Sequence, residues 1–520
     1  MKCAASKANF CSSRRYCGKS PEVDTNIISV DFSNLQTEIE PLQSEPPKCP
    51  SCASYFTLNS FTEDGNITCP FCNSITHVSS PKDRYISEET VELVISPPEL
   101  QKLEKVEEKT EKAEDNKTIV FCIDVSGSMG SRPTDKNGKT LNNTSVLEVI
   151  KSAMTHQIKA MITENPHQKV CIVTFDSDVT ILGDCTKTPI KVNRSFMNDF
   201  DSLVDIATEK IELSTLEISS EKILSSLKAL HSGSCTALGP ALLVSTVAAG
   251  KQNNGSVILC TDGLANEGLG SQGSQNEKAF YQHVSEVARK SGVIINVNTV
   301  KGCDANMKVI GECAVLTDGQ VMVVDPENIT DAFKGALDSE LIARQIVLDV
   351  FLPQSLYVKD EFSDVKVSKK SVDVGNALDD TTYQFKYAKR NGDDKLDTFT
   401  VQLGIKYTKK NGGVYYRIIT RKIEVAKEDE KVDLNGEVLQ TYYIQQTAEH
   451  KRRGSIERAK ENIGMFRQAQ QVSKQEMQSE YNTYADDMED KLEENNDEAW
   501  AVNQTASKWS MKKAKKFSGK

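Results

Sequence analysis

The chain has 520 residues, 38% of them hydrophobic and 26% charged, with a formal net charge of −11. That length exceeds what one hydrophobic core organises, so about three or four domains are expected. The acidic balance argues against nucleic-acid binding by phosphate neutralisation. No stretch approaches the ~20 apolar residues that a membrane-spanning helix needs, which leaves at most peripheral membrane contact. The start, Met1-Lys2-Cys3-Ala4-Ala5, has no apolar run of the secretory type. The fourteen cysteines fall as two tight pairs and as single residues, among them Cys122, Cys171 and Cys260 inside apolar runs. A reducing, cytoplasmic setting is therefore expected rather than a disulfide framework.

Residues 1–45 lack sustained periodicity and are expected to be mostly flexible, with one short strand over 27–32. Residues 46–80 form a cysteine-rich module. Cys49-Pro50-Ser51-Cys52 and Cys69-Pro70-Phe71-Cys72 are separated by the sixteen residues 53–68. Two Cys-x-x-Cys knuckles at this spacing predict a tetrahedral Zn²⁺ ribbon with Cys49, Cys52, Cys69 and Cys72 as ligands. Thiolates outrank His77, which is a bystander in this reading. A RING-like ubiquitin-ligase module would need twice as many ligands. So short a segment takes its folding energy from the metal.

Residues 81–117 hold a strand, Val91-Glu92-Leu93-Val94-Ile95, and then a charged linker dense in Glu and Lys. From 118 to 340 apolar runs at 118–124, 169–175, 257–261 and 293–300 alternate with helical stretches near 145–164, 219–230, 238–249 and 276–291. Strands buried on both faces with helices between them predict an α/β fold, a doubly wound and mainly parallel sheet. Residues 341–430 change to short alternating runs, and the turn Lys410-Asn411-Gly412-Gly413 separates the last two. These predict an antiparallel β-sandwich. Residues 431–500, rich in Glu, Gln, Lys and Ala, predict a helical domain, and 501–520 a basic tail.

The apolar run 119–123 leads directly into Asp124-Val125-Ser126-Gly127-Ser128-Met129. Ligands of open parallel sheets gather beyond the carboxyl ends of the strands. There Asp124, Ser126 and Ser128 face one point, because alternate residues share a side. Thr236, before an apolar helix, and Asp262, after the run 257–261, can complete the shell. Carboxylates and hydroxyls are hard ligands, suited to Mg²⁺ or Mn²⁺. No histidine or nucleophile lies in these motifs, so an enzyme is not expected.

The five positions Asp124, Ser126, Ser128, Thr236 and Asp262 resemble the metal-ion-dependent adhesion site of the von Willebrand factor A family. The resemblance spans 118–340 and implies direct ligation by Ser126, Ser128 and Thr236, with Asp124 and Asp262 acting directly or through water. It also implies an open coordination position, filled by an Asp or Glu of a protein partner. The order of zinc ribbon, strand, A-type domain, sandwich and helices resembles that of COPII inner-coat subunits, in which the strand before the A-type domain joins the distant sandwich. Their terminal gelsolin-like domain has no counterpart expected here, and they generally lack an intact metal site of this type. The run Thr261-Asp262-Gly263-Leu264-Ala265-Asn266-Glu267-Gly268-Leu269-Gly270-Ser271 looks like the A-domain region of circularly permuted Ras proteins. No GTPase is expected: Cys17-Gly18-Lys19-Ser20 ends like a P-loop, but Ser13 stands where the first glycine belongs and no buried strand precedes it. The expectation is a non-enzymatic adaptor that engages an acidic residue through Mg²⁺. The alternative is a COPII-like coat or cargo adaptor in which the metal site is incidental.

Overall fold

The structure is a computed structural model that describes residues 1–8, 24–62, 66–77, 81–96, 117–132, 140, 143–252, 255–262, 265–300, 307–324, 341–379, 381–390, 396–409, 412–427, 430 and 432–472. The P-loop-like Cys17–Ser20, most of the charged linker, the pair Lys410-Asn411 and the basic tail lie outside these residues. Two compact units form, one from residues before 104 and after 341, the other from the stretch between.

The second unit is a seven-stranded sheet. Its order runs Val321–Val324, Val293–Val300, Gly255–Cys260, Thr118–Asp124, Lys169–Phe175, Val179–Gly183, Ile190–Lys191. The first five strands are parallel. The last two, which the sequence reading missed, are an antiparallel edge. Every residue of Thr118–Asp124 and Gly255–Cys260 is buried, as helices on both faces require. One face packs on Phe200–Lys210, Leu238–Gly250, Glu277–Ser291 and Met307–Leu316, through residues such as Leu242, Val284 and Ala314. The other packs on Val146–Glu164 and Leu216–Lys228 through Ile150, Met154 and Ile223. The helices Phe200–Lys210 and Met307–Leu316 are additions to the sequence reading. The Thr118–Asp124 strand, first in this unit, lies between Lys169–Phe175 and Gly255–Cys260. Its carboxyl end is thus the point from which the winding proceeds both ways.

The first unit is a sandwich of two five-stranded sheets. One holds Lys369–Leu378, Leu341–Phe351, Thr398–Thr408, Val414–Glu424 and Thr90–Ser96. The strand preceding the α/β unit does join this distant sheet, with Val91 opposite Ile418. The other sheet holds Lys2–Cys3, Ile27–Asp31, Thr382–Lys389, Leu356–Asp360 and Ser363–Val367.

This second sheet corrects the expectation that 1–45 is mostly flexible: the described residues 1–8 and 24–35 supply two strands and pack Phe32 and Leu35 inside, whereas 36–45 are mostly exposed. The physical reason is burial on both sides. Ile28 and Val30 face the sandwich interior, whereas Ile27 packs with Tyr442 and Tyr443 of the helix Gly436–Arg452. A second helix, Ile456–Val472, closes on that one through Ile463 and Phe466. Among the described residues no helix is long and apolar enough to cross a membrane.

The cysteine module sits on the sandwich. The Gln402 amide donates to the Tyr55 carbonyl at 3.0 Å and accepts from the Tyr55 N–H at 2.7 Å, so one side chain extends the ladder into the module. Phe71 packs against Phe351 with ring centroids 6.1 Å apart.

Candidate metal centres

At the sheet's carboxyl end, Asp124 and Ser126 are almost fully buried, and Thr236 and Asp262 nearly so. Asp124 Oδ1 accepts from the Ser126 N–H at 2.8 Å, and its Oδ2 accepts from the Thr261 hydroxyl at 2.6 Å. The Ser126 and Ser128 hydroxyls are 3.1 Å apart, and Ser128 donates to Asp262 Oδ1 at 2.8 Å. Two strand ends are thereby joined by hydrogen bonds through the Asp124, Ser126, Ser128, Thr261 and Asp262 residues. Thr236 is held to the same loops by its backbone: its N–H donates to Asn266 Oδ1 at 2.7 Å and its carbonyl accepts from the Asn266 N–H at 3.0 Å. The Thr236 loop is tied to the Asp124 loop in turn, with the Gly127 N–H donating to the Ser234 carbonyl at 2.9 Å. Gly233 has to be glycine, because a Cβ there would run into the Asp176 carboxylate.

Thr261 and Asn266 are the residues that sequence reasoning passed over. Both lie in the quoted 261–271 run, and Thr261 carries a signal: a hydroxyl at the end of a wholly apolar strand needs a partner.

The chemistry of this donor set fits a divalent cation. Burial pushes the Asp124 carboxyl up to about 6, against the hydrogen bonds from Ser126 and Thr261 that pull it down. Burial raises that of Asp262 as well. Neither carboxylate has an ion-pair partner among the described residues. Two buried carboxylates sharing a hydroxyl network are costly when ionised, and a divalent cation held there would offset that cost.

A pH dependence follows. The unfolded state ionises Asp124 near pH 4 and the folded, metal-free state only near 6. Rising pH therefore removes about 3 kcal/mol from the metal-free fold over that window. Asp124→Asn should melt higher than wild type at pH 7 without magnesium. Wild type alone should then gain thermal stability on Mg²⁺ addition, strongly at pH 7.5 and little at pH 5, where protons compete for the carboxylate. Calorimetric melts at both pH values test this, and a magnesium response retained by Asp124→Asn would contradict it.

In the cysteine module the sulfurs of Cys49, Cys52, Cys69 and Cys72 all lie within 4.8 Å of one another. Cys49 and Cys72 are 3.4 Å apart and Cys52 and Cys69 3.6 Å. A tetrahedron with zinc–sulfur bonds of about 2.3 Å has edges of about 3.8 Å, so the cluster fits Zn²⁺. Each knuckle is the same turn. The Ala53 N–H donates to the Cys49 carbonyl and the Asn73 N–H to that of Cys69, both at 2.9 Å, and Ala53 and Asn73 both take positive φ, 64° and 58°. The Ser74 hydroxyl lies 3.1 Å from the sulfurs of Cys49 and Cys72, and that of Ser54 3.2 Å from Cys52, placed to steady thiolates. Burial alone would raise the Cys49 thiol, yet Ser74 and the knuckle amides bring it down to about 6. His77 instead meets Asn66, at 2.8 Å, on an exposed surface.

A sequence model described as the von Willebrand factor type A domain matches residues 119–264. The chain is 26% identical over 459 residues to circularly permutated Ras protein 1 of Dictyostelium discoideum, covering 82% of this chain and 54% of that protein. It thus spans about half the length of that curated relative. Among solved structures, the human COPII-coat protein Sec24c superposes with a TM-score of 0.60 at 14% identity, covering 91% of this chain and 70% of that one. A von Willebrand factor type A protein from Catenulispora acidiphila superposes with a TM-score of 0.46 at 13% identity, over 76% of this chain and 90% of that one.

Proposed function

Because residues 119–264 are a von Willebrand factor type A domain, we propose that this chain is a non-enzymatic, cytoplasmic adaptor that binds a protein partner through Mg²⁺ (or Mn²⁺) at that domain. Asp124, Ser126, Ser128, Thr236 and Asp262 would hold the ion, and an Asp or Glu of the partner would complete its shell. The observation that carries the reading is the hydrogen-bonded set Asp124, Ser126, Ser128, Asp262 and Thr261, with two buried carboxylates and no ion-pair partner for either among the described residues. Mg²⁺ demands near-octahedral oxygen geometry and sheds water reluctantly, so a few side chains leave room for an incoming carboxylate. In a site drier than bulk solvent that charge-assisted contact gains strength. The zinc ribbon, in this reading, is structural.

The test is affinity capture from cell extract with and without added Mg²⁺, using wild type and Asp124→Ala. Chelation by EDTA would also strip zinc from the ribbon, so the substitution is the selective arm. Partner recovery should require magnesium and should fall at least about ten-fold in Asp124→Ala, the loss of one charge-assisted contact or more. The Sec24c-like fold over most of the chain favours a second reading, a coat or cargo adaptor in which the ion is incidental. Equal recovery by both proteins would replace the first reading with that one.

A further inference from the structure

Thr236 lies between two loops that are tied down independently of it. The Gly233 N–H donates to the Val125 carbonyl, the Gly127 N–H to the Ser234 carbonyl at 2.9 Å, and the Ala237 N–H to the Asp176 carbonyl at 2.7 Å. The Thr236 peptide itself meets residues 266 and 267. Asn266 Oδ1 accepts from its N–H at 2.7 Å, and the N–H groups of Asn266 and Glu267 donate to its carbonyl at 3.0 and 3.3 Å. Pro240 explains why that carbonyl is free to accept them. A helical partner for it would stand four residues on, in Leu238–Gly250, and proline has no N–H.

We propose that Asn266 is a positioning residue that sets where the Thr236 hydroxyl stands relative to Asp262, and thereby tunes the affinity of the domain for a divalent cation. The role rests on the magnesium reading of the same site.

Thr236 and Asp262 come from different strand ends, and a cation shared by them needs their oxygens at one separation. Asn266 follows Asp262 by four residues, so its clasp on Thr236 links the two ends directly. The segment that carries Asn266 is itself stiff. Ala265 is buried, and the Leu269 N–H donates to the Met197 carbonyl at 3.0 Å. Gly268 takes a φ of 75°, and a Cβ there would come within 2.7 Å of Pro240.

Asn266 is exposed, and on a surface its amide could be served by water; instead its Oδ1 is turned to the buried Thr236 peptide. One residue makes both bonds to that peptide. A side chain without an acceptor therefore keeps the main-chain half of the clasp and loses the other. The hydroxyl would then stand less firmly, which costs metal affinity more than it costs the fold, because coordination tolerates little displacement of a ligand.

The experiment titrates the zinc-loaded full chain with magnesium chloride in a calorimeter, in about 0.3 M KCl so that surface charge is screened. Asn266→Ala should bind Mg²⁺ about ten-fold more weakly than wild type, the scale for losing a residue that orients a ligand. Asn266→Asp keeps the acceptor and should bind nearly as wild type does. Glu277→Ala breaks a different bond of the same segment, from the Gly273 N–H at 2.8 Å, and should leave the affinity unchanged. Melts without magnesium accompany each titration. A lower melting temperature of Asn266→Ala with unaltered Mg²⁺ affinity would make Asn266 merely structural and overturn the proposal. Equal weakening by Asn266→Asp or by Glu277→Ala overturns it too, since the clasp would not be the cause. Wild type that takes up no Mg²⁺ at all removes the site reading itself, and the role with it.

Discussion

Cys69→Ser is expected to release zinc and unfold the ribbon, the largest effect any single substitution should have on this chain. The module's own core is small: Phe56, Ile67, Phe71 and Tyr85 around the sulfurs, closed by Phe351 of the sandwich. Structural zinc sites of this kind contribute roughly 10 kcal/mol or more, far beyond what those side chains supply. Cys69 is itself fully buried. Three remaining sulfurs and a serine hydroxyl cannot close a tetrahedral shell. Metal analysis of protein purified under reducing conditions should give one zinc per wild-type chain and a fraction of that in the variant. Hydrogen exchange should then rise through residues 46–77 while the α/β unit keeps its protection and its magnesium response. Wild-type protein lacking stoichiometric zinc would refute the assignment.

The second large effect lies at Glu92. Its side chain is wholly buried on the Thr90–Ser96 strand, yet it is ionised-competent because three donors converge on it. Arg417 Nε and Nη2 reach Oε1 at 3.0 and 2.7 Å, Lys409 reaches Oε2 at 2.9 Å, and the Tyr407 hydroxyl also donates to it. Burial opposes ionisation, but these partners hold the carboxyl below its usual range. Arg417 goes further, donating to the carbonyls of Asn34 and Thr37, so that one guanidinium joins the N-terminal segment, the strand and the sandwich. Arg417→Met would strand a buried carboxylate and should cost about 3–5 kcal/mol in urea melts. Exchange at residues 32–37 should accelerate. Adding Glu92→Leu to Arg417→Met should recover much of that loss, since removing both charges also removes the desolvation penalty. A double variant as damaged as the sum of the singles would show that the cluster's value lies in packing and not in charge. Because the folded carboxyl is depressed, its contribution is present above pH 4–5 and is lost as the pH falls through its folded pKa.

The parts that the sequence determined by itself share one property: their signal is local. Two Cys-x-x-Cys knuckles state a zinc site in four letters each. The runs 118–124 and 169–175 are apolar throughout because both faces of a central parallel strand are covered, and Asp-x-Ser-x-Ser at the end of one marks where a hard cation would sit. What only the tertiary structure decided was the pairing of distant segments. Ile28 lies opposite Phe385, and Val91 opposite Ile418. A short strand's own residues do not name its partner, because strand propensity is set by the neighbours it packs against and these lie hundreds of residues away. The N-terminal strand is apolar on both faces, since Ile27 serves the helix Gly436–Arg452 and Ile28 the sandwich. Ser363–Val367 escaped the sequence reading because it is short and, as an edge strand, exposed along nearly its whole length. At the candidate magnesium site the sequence supplied the five oxygen-bearing residues. The closure of Thr261 onto Asp124, and of Asn266 onto Thr236, depends on strand ends that meet only when the sheet order is set, because hydrogen bonds are directional and their partners lie more than a hundred residues apart in the first case and a whole helix apart in the second.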